Sequence, residues 1–159
     1  MIEEFLPVCR EDMDERGWAQ LDFLFVSGDA YVDHPSFAPA VIGRVLEAAG
    51  YKVAILAQPD WRDEQAFQVM GKPRLGVLVC GGNLDSMLCH YTAARKPRKE
   101  DKYSPGKAMG KRPDHATAVY TKKIKAIWPE LPVIIGGIEA SLRRFAHYDY
   151  WENKLLPSI

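Results

Sequence analysis

Asp22-Phe23-Leu24-Phe25-Val26-Ser27-Gly28-Asp29 decides the fold. The run is short, apolar on both faces and stopped by glycine, the pattern of a strand buried between two helical layers rather than one with a solvated side. Downstream, the turn-like Asp33-His34-Pro35-Ser36 precedes Val41, Ile42, Val45, Leu46 and Ala49 at helical spacing, with Gly50 as the stop and Ser36 as a candidate cap. Lys52 to Ala57 is a second buried strand, closed by Gln58-Pro59-Asp60, and Arg62 to Met70 suits a short helix. Arg74 to Cys80 is a third strand, ending at Gly81-Gly82-Asn83, after which Leu84, Met87, Leu88 and Tyr91 keep helical spacing. Asp114 is placed to cap a helix carrying Ala116, Val119, Tyr120, Ile124 and Ile127 on one face. Pro132 to Gly137 is the fourth strand, followed by a helical stretch from Ile138 to Arg144.

Strands alternating with helices, joined by right-handed crossovers, give an α/β doubly wound, mostly parallel sheet of the flavodoxin or Rossmann kind. Four or more strands with helices on both faces are expected. Residues 1–20 read as an N-terminal extension and 21–159 as the Rossmann-like domain. Because the chain stops at Leu155-Leu156-Pro157-Ser158-Ile159 before a further strand forms, a longer natural product is expected.

Composition narrows the class. Lys and Arg number 21, as do Asp and Glu, so no global field selects nucleic acid, an anionic membrane or an acidic partner. The start Met1-Ile2-Glu3-Glu4-Phe5-Leu6 lacks a basic segment followed by an apolar one, and nowhere do about 18 apolar residues run together. Cytoplasmic location without a membrane span is the expectation. Cys9, Cys80 and Cys89 cannot all pair and show no CxxC spacing, so a reducing compartment fits and no zinc or iron–sulfur set can be assembled from them.

In an open α/β sheet, ligands lie beyond the carboxyl ends of the strands, where helix N-termini also point their free N–H groups. That edge holds Gly28, Asp29, Tyr31, Asp33 and His34 after the first strand, Gln58, Asp60 and Trp61 after the second, and Gly81, Gly82 and Asn83 after the third; Gly136, Gly137 and Glu139 follow the fourth. Glycines there serve either close approach to a ligand or turn geometry alone. Asp33 and His34 beside Asp29 read either as an acid–base or metal cluster or as a turn entering a helix. Neither GxGxxG nor GxxxxGK[ST] follows any strand, which disfavours a standard dinucleotide or P-loop enzyme.

Between Arg95 and Arg112 the pattern gives way to a long basic loop holding eight basic and two acidic residues, a local charge of about +6. Tyr103 lies within it. A solvated loop, a lid over the strand edge, a partner surface and a phosphate- or RNA-contacting segment all fit.

Taken together, Phe5-Leu6-Pro7, Arg16-Gly17-Trp18, Gly28 to Phe37, Ile42-Gly43-Arg44, Ala57 to Trp61, Gly81 to Met87, Tyr103-Ser104-Pro105-Gly106 and Gly136 to Phe145 resemble the N-terminal region of the YgiQ family of radical SAM proteins. The resemblance covers nearly the whole chain and implies a cobalamin-binding-like α/β domain preceding a radical SAM barrel in a cytoplasmic iron–sulfur protein. In such a protein a CxxxCxxC motif, lying beyond this sequence, holds a [4Fe–4S] cluster whose open iron binds S-adenosylmethionine. None of the three cysteines here matches that motif, so neither catalytic nor metal-binding residues are assigned to this segment. A histidine-ligated corrin is disfavoured because Asp33 and His34 are adjacent and no DxHxxG is present; a corrin held without a protein ligand stays open.

The partner implied is the downstream radical SAM domain of the same chain, acting on a substrate the family does not specify. The leading expectation is an accessory domain that forms part of a substrate or cofactor site facing that barrel. The alternatives are a non-catalytic RNA- or partner-binding module working through the basic loop, and a flavodoxin-like domain for a small nucleotide.

Overall fold

The computed structural model describes residues 5–159. A four-stranded parallel sheet runs β2-β1-β3-β4, built from β1 (Phe23–Ser27), β2 (Val53–Ala57), β3 (Gly76–Cys80) and β4 (Val133–Gly136). The helices are α1 (Arg10–Glu15), α2 (Ala38–Ala48), α3 (Ser86–His90), α4 (Ala116–Ile127) and α5 (Gly137–Leu142). A separate antiparallel hairpin, β5 (His147–Asp149) and β6 (Lys154–Leu156), ends the chain. The expected α/β doubly wound fold is therefore present. The chain leaves β1 towards β2 through α2 and leaves β3 towards β4 through α4, so the strand order reverses between β1 and β3.

Alternation along each strand sorts side chains between two faces. Leu24 and Val26 of β1, Ala54 and Leu56 of β2, and Val77 and Val79 of β3 join Tyr120 and Ile124 of α4, Phe67, Met70 and Met13 in the larger core. Each large apolar side chain fully buried there contributes about 1.5–3 kcal/mol relative to exposure. Phe25, Ile55 and Cys80 point to the opposite face, where they meet Leu6. Both Leu6 and Met13 are buried, and Ile55 N–H donates to the Pro7 carbonyl at 2.8 Å, so residues before β1 are part of the core.

Three local expectations differ from the structure. The Arg62–Met70 segment holds only a three-residue 3₁₀ turn, Gln65–Phe67. Helix α2 starts after Phe37 with no side-chain cap and buries Pro39, Ala40 and Gly43, while Val41, Ile42 and Val45 are exposed. The small face can lie closer to the sheet: a Cβ on Gly43 would come within 2.5 Å of Leu6 Cδ1. Asp114 does not cap α4, whose N-cap is His115 in the left-handed region (φ 51°). The Asp114 carboxylate instead accepts from the Tyr91 hydroxyl at 2.9 Å and lies 2.5 Å from His90 Nδ1.

Candidate functional site at the carboxyl ends of β1 and β3

Ser27 and Cys80 are paired neighbours, so β1 and β3 end side by side where the strand order reverses, and their loops must diverge from a crowded point. A Cβ on Gly28 would lie 2.2 Å from the Gly81 carbonyl oxygen, one on Gly81 would lie 2.6 Å from Glu139 Oε2, and one on Gly82 (φ +113°) would lie 2.1 Å from Asp29 Oδ1. These glycines are thus required for the chain to approach itself.

Asp29 is buried and its Oδ2 accepts from Asn83 N–H at 2.7 Å, which ties the two loops together. Its other oxygen lies 2.8 Å from Arg112 Nη1 in an ion pair. That contact is off the hydrogen-bonding direction, so Oδ1 has no directed donor, while Nη1 also donates to the Gly81 carbonyl at 3.1 Å. The remaining guanidinium donors engage Asp101 in a bidentate pair, Nε to Oδ2 at 2.8 Å and Nη2 to Oδ1 at 3.0 Å. Asp101 also accepts from Tyr103 N–H at 3.0 Å and the Ser104 hydroxyl at 3.0 Å.

One guanidinium between two carboxylates gives them opposite acidities. Burial pushes Asp29 up, and the Arg112 charge only partly offsets it. Burial also pushes on Asp101, yet the Arg112 bonds and its two local donors outweigh it and hold the carboxyl below its ordinary value. Desolvation opposes the Arg112 charge, but the Asp101 bonds and both carboxylates keep its pKa raised.

Arg112 therefore anchors the far end of the basic loop, which becomes a strap across the strand ends. Ala30 N–H donates to the Tyr103 carbonyl at 2.9 Å, and Gln58 Nε2 bridges the Gly28 carbonyl and Ser104 Oγ, each at 2.8 Å. Gln58 makes this bridge from a left-handed backbone (φ 47°), an uncommon conformation for a residue with a Cβ. Lys96, Arg98, Lys99, Lys102, Lys107 and Lys111 stay on the exposed outer side of the strap.

Glu139 performs a second closure. From α5 it accepts Ser86 N–H at 2.8 Å and Thr117 N–H at 2.8 Å, so one buried carboxylate joins the first turns of α3 and α4. Asp85 caps α3 by accepting Met87 N–H at 2.9 Å and pairs with Arg143.

Of the residues expected along this edge, Asp29, Asn83 and the Gly81 carbonyl join one polar network through Arg112, Gly82 packs against Asp29, and Glu139 forms a separate closure beside Gly81. A Cβ on Gly137 (φ +84°) would come within 3.8 Å of the Gly82 carbonyl oxygen, whereas one on Gly136 would meet nothing within 4 Å. Asp33 and His34 lie on the flank. Asp33 pairs with Arg44 of α2, whose bond holds the carboxyl below its ordinary value. His34 is exposed, and its Nδ1 accepts from Ser36 N–H at 3.1 Å. The Asn83 amide donates to the Ser36 carbonyl at 3.0 Å, which joins that flank to the edge. Tyr31 lies half-buried beside Asp33, and burial first, then that charge, pushes its hydroxyl up to about 12.

The residues that sequence reasoning missed are Asp101, Ser104, Arg112 and Thr117, whereas Gln58 was expected on this edge. One local signal existed: Asp101-Lys102-Tyr103 is an Asx turn, in which the carboxylate accepts the amide two residues on.

The donor set does not suit a resident cluster. Cys80 and Cys89 are buried, burial raises both thiols (Cys89 to about 11), and Cys9 caps a distant helix. Among the described residues no group of three or more His, Cys, Asp or Glu could hold a metal ion. Nor do the glycines make a bed for a corrin, because atoms of the chain itself fill the space over Gly28, Gly81 and Gly82. No described helix is long and apolar enough to cross a membrane.

The Radical SAM N-terminal family model matches residues 5–159. A UPF0313 protein from Clostridium perfringens (strain 13 / Type A) is 60% identical over 156 residues, which are 98% of this chain and 24% of the relative. One from Thermotoga petrophila is 57% identical over 155 residues, 98% of this chain and 27% of the relative. One from Clostridium botulinum (strain 657 / Type Ba4) is 57% identical over 156 residues, with 98% and 24% covered. The chain thus spans about a quarter of the length of these curated relatives. No solved structure matches it. Because this family model matches residues 5–159, the chain belongs to the Radical SAM N-terminal family.

Proposed function

We propose that this domain is a non-catalytic wall of an active site whose reactive half lies in the rest of the full-length polypeptide. The reactive half would be a barrel that carries a [4Fe–4S] cluster and cleaves S-adenosylmethionine, the chemistry being the cofactor's own. The observation that carries this reading is the buried Asp29–Arg112–Asp101 network at the point of strand reversal. It spends the edge's buried charges on holding the β1, β3 and strap segments in one arrangement, as expected of a group that positions rather than reacts. The polar groups left to face a neighbour are on the rim, chiefly His34 and the Asn83 side chain.

The test uses reduced, cluster-reconstituted full-length protein. Replacing His34 and Asn83 together by Ala removes rim contacts, the Asn83–Ser36 bond among them, but keeps the Asn83 N–H that serves Asp29. Loss of one rim hydrogen bond worth about 1.4 kcal/mol lowers the rate of 5′-deoxyadenosine formation, or raises the KM for S-adenosylmethionine, about tenfold. Wild-type values for both in the double variant would refute the wall assignment.

A further inference from the structure

On one face of the sheet, Ile55, Phe25, Leu78 and Ile134 form a row across four hydrogen-bonded strands in the order β2, β1, β3, β4. Relative exposure along this row is 0% for Ile55, 2% for Phe25 and 57% for Ile134, with Leu78 half-buried. The gradient has a simple origin. Helix α2 covers β2 and β1 on this face and α4 serves β3 and β4 on the other, while α5, which also touches β4 and β3, leaves Ile134 exposed, so the described helices cover this half of β3 and β4 only in part.

The turned face of α2 supplies the second wall. Ala38, Val41, Ile42 and Val45 follow the i, i+3, i+4, i+7 spacing of a helix face that packs, yet the last three are exposed. Ala38 and Ile42 meet Leu78 and Ile134 across a groove whose lining holds no charged residue. Beyond β4, Ile138 and Leu142 of α5 extend the apolar surface. A patch built from two walls of different elements exceeds the single scattered apolar residues normal on a surface.

We propose that this groove is the seat of an amphipathic helix from the polypeptide that continues beyond residue 159 in the full-length protein. Two observations choose this occupant. A doubly wound sheet is covered on both faces, and the vacant position lies beside α2 over β3 and β4, where a later helix of the same chain completes the layer. The relatives also carry about three quarters of their length outside the matched region, which belongs to an N-terminal family. The docking therefore fixes how the strand-end edge is presented, and it rests on the reading of this chain as one domain of a longer radical SAM polypeptide.

The experiment places the photo-cross-linker p-benzoylphenylalanine at position 134 or 42 of the full-length protein, with position 25 as the buried reactivity control and exposed position 69 as the solvent control. The expected products at 134 and 42 are cross-links within one chain to a single segment beyond residue 159, with none at 69. Cross-links from 134 or 42 to residues 1–159 of a second copy would assign the groove to self-association and overturn the proposal. Absence of cross-links at both positions, with position 25 reacting, would overturn it equally.

An independent readout is thermolysin cleavage of the folded full-length protein. The substitution Ile134→Asp should expose the docked segment and speed its cleavage about tenfold, while Val69→Asp should not. Equal cleavage rates for the two variants would also count against docking. Both readouts are positional, so they stand whether or not the His34 and Asn83 rim affects S-adenosylmethionine cleavage.

Discussion

Asp101→Asn isolates the anchor of the strap with almost no change in shape. The carboxylate accepts two donors from Arg112, one from Tyr103 N–H and one from the Ser104 hydroxyl, and neither its side chain nor that of Arg112 reaches solvent. An amide presents one oxygen and an NH₂ in their place, so one of the two guanidinium contacts turns from attraction to a clash of donors. Removing one partner of a buried ion pair costs roughly 3–5 kcal/mol. Because Asp29 stays beside Arg112 at 2.8 Å, the lower end applies, about 3 kcal/mol, or roughly a 100-fold rise in the opening equilibrium of the strap. Native-state hydrogen exchange of the full-length protein reads this at Ser104, Lys107 and Ala30, whose amides donate to Asp101, Ser104 and Tyr103 carbonyls. A rise below about fivefold, or an equal rise at Leu24 and Val79 in the sheet, would refute the strap as a locally anchored unit.

Two further outcomes follow from the same geometry. In a carboxyl-carbon NMR titration, Asp29 should titrate above the ordinary value of 3.8 and Asp101 below it. Their linkage then has opposite signs: the Asp101 contribution to stability is present above 3.8 and lost as pH falls through its depressed value, whereas that of Asp29 is present below 3.8 and lost as pH rises through its raised one. Inverted titration order would show that Arg112 belongs to Asp29 instead. Among the glycines, Gly28→Ala would force a Cβ to 2.2 Å from a backbone oxygen, and Gly136→Ala meets nothing within 4 Å. Soluble yield and melting temperature should collapse for Gly28→Ala and stay near wild type for Gly136→Ala; equal losses would overturn the close-approach explanation.

What could be read in advance follows from how local each cause is. The run Phe23 to Ser27 is legible because apolar residues on both faces admit few structures other than a buried parallel strand, and the same holds for Val53 to Ala57 and Gly76 to Cys80. Periodicity alone placed the large residues of α2 inward, but it cannot distinguish which apolar face is buried when a small face, Pro39, Ala40 and Gly43, also exists. At the strand ends, Asp29 and the glycines were visible through chain punctuation. Their partner was not: Arg112 lies among other basic residues, and only folding shows that Arg112 turns inward while Lys111 stays in water. Asp114 failed as a cap for the same reason, since Tyr91 and His90, remote in sequence, compete for its oxygens.

The gradient from Ile55 to Ile134 also has a temporal side. A ribosome making a full-length relative completes this quarter first, and at about 5–20 residues per second the several hundred residues still to come take on the order of a minute. Throughout that interval the half-covered sheet, with β4 as an unpaired edge, presents greasy surface to a crowded environment. Until the remaining chain is made, exposed Ile134 and the outer α2 face, Val41, Ile42 and Val45, are open to aggregation.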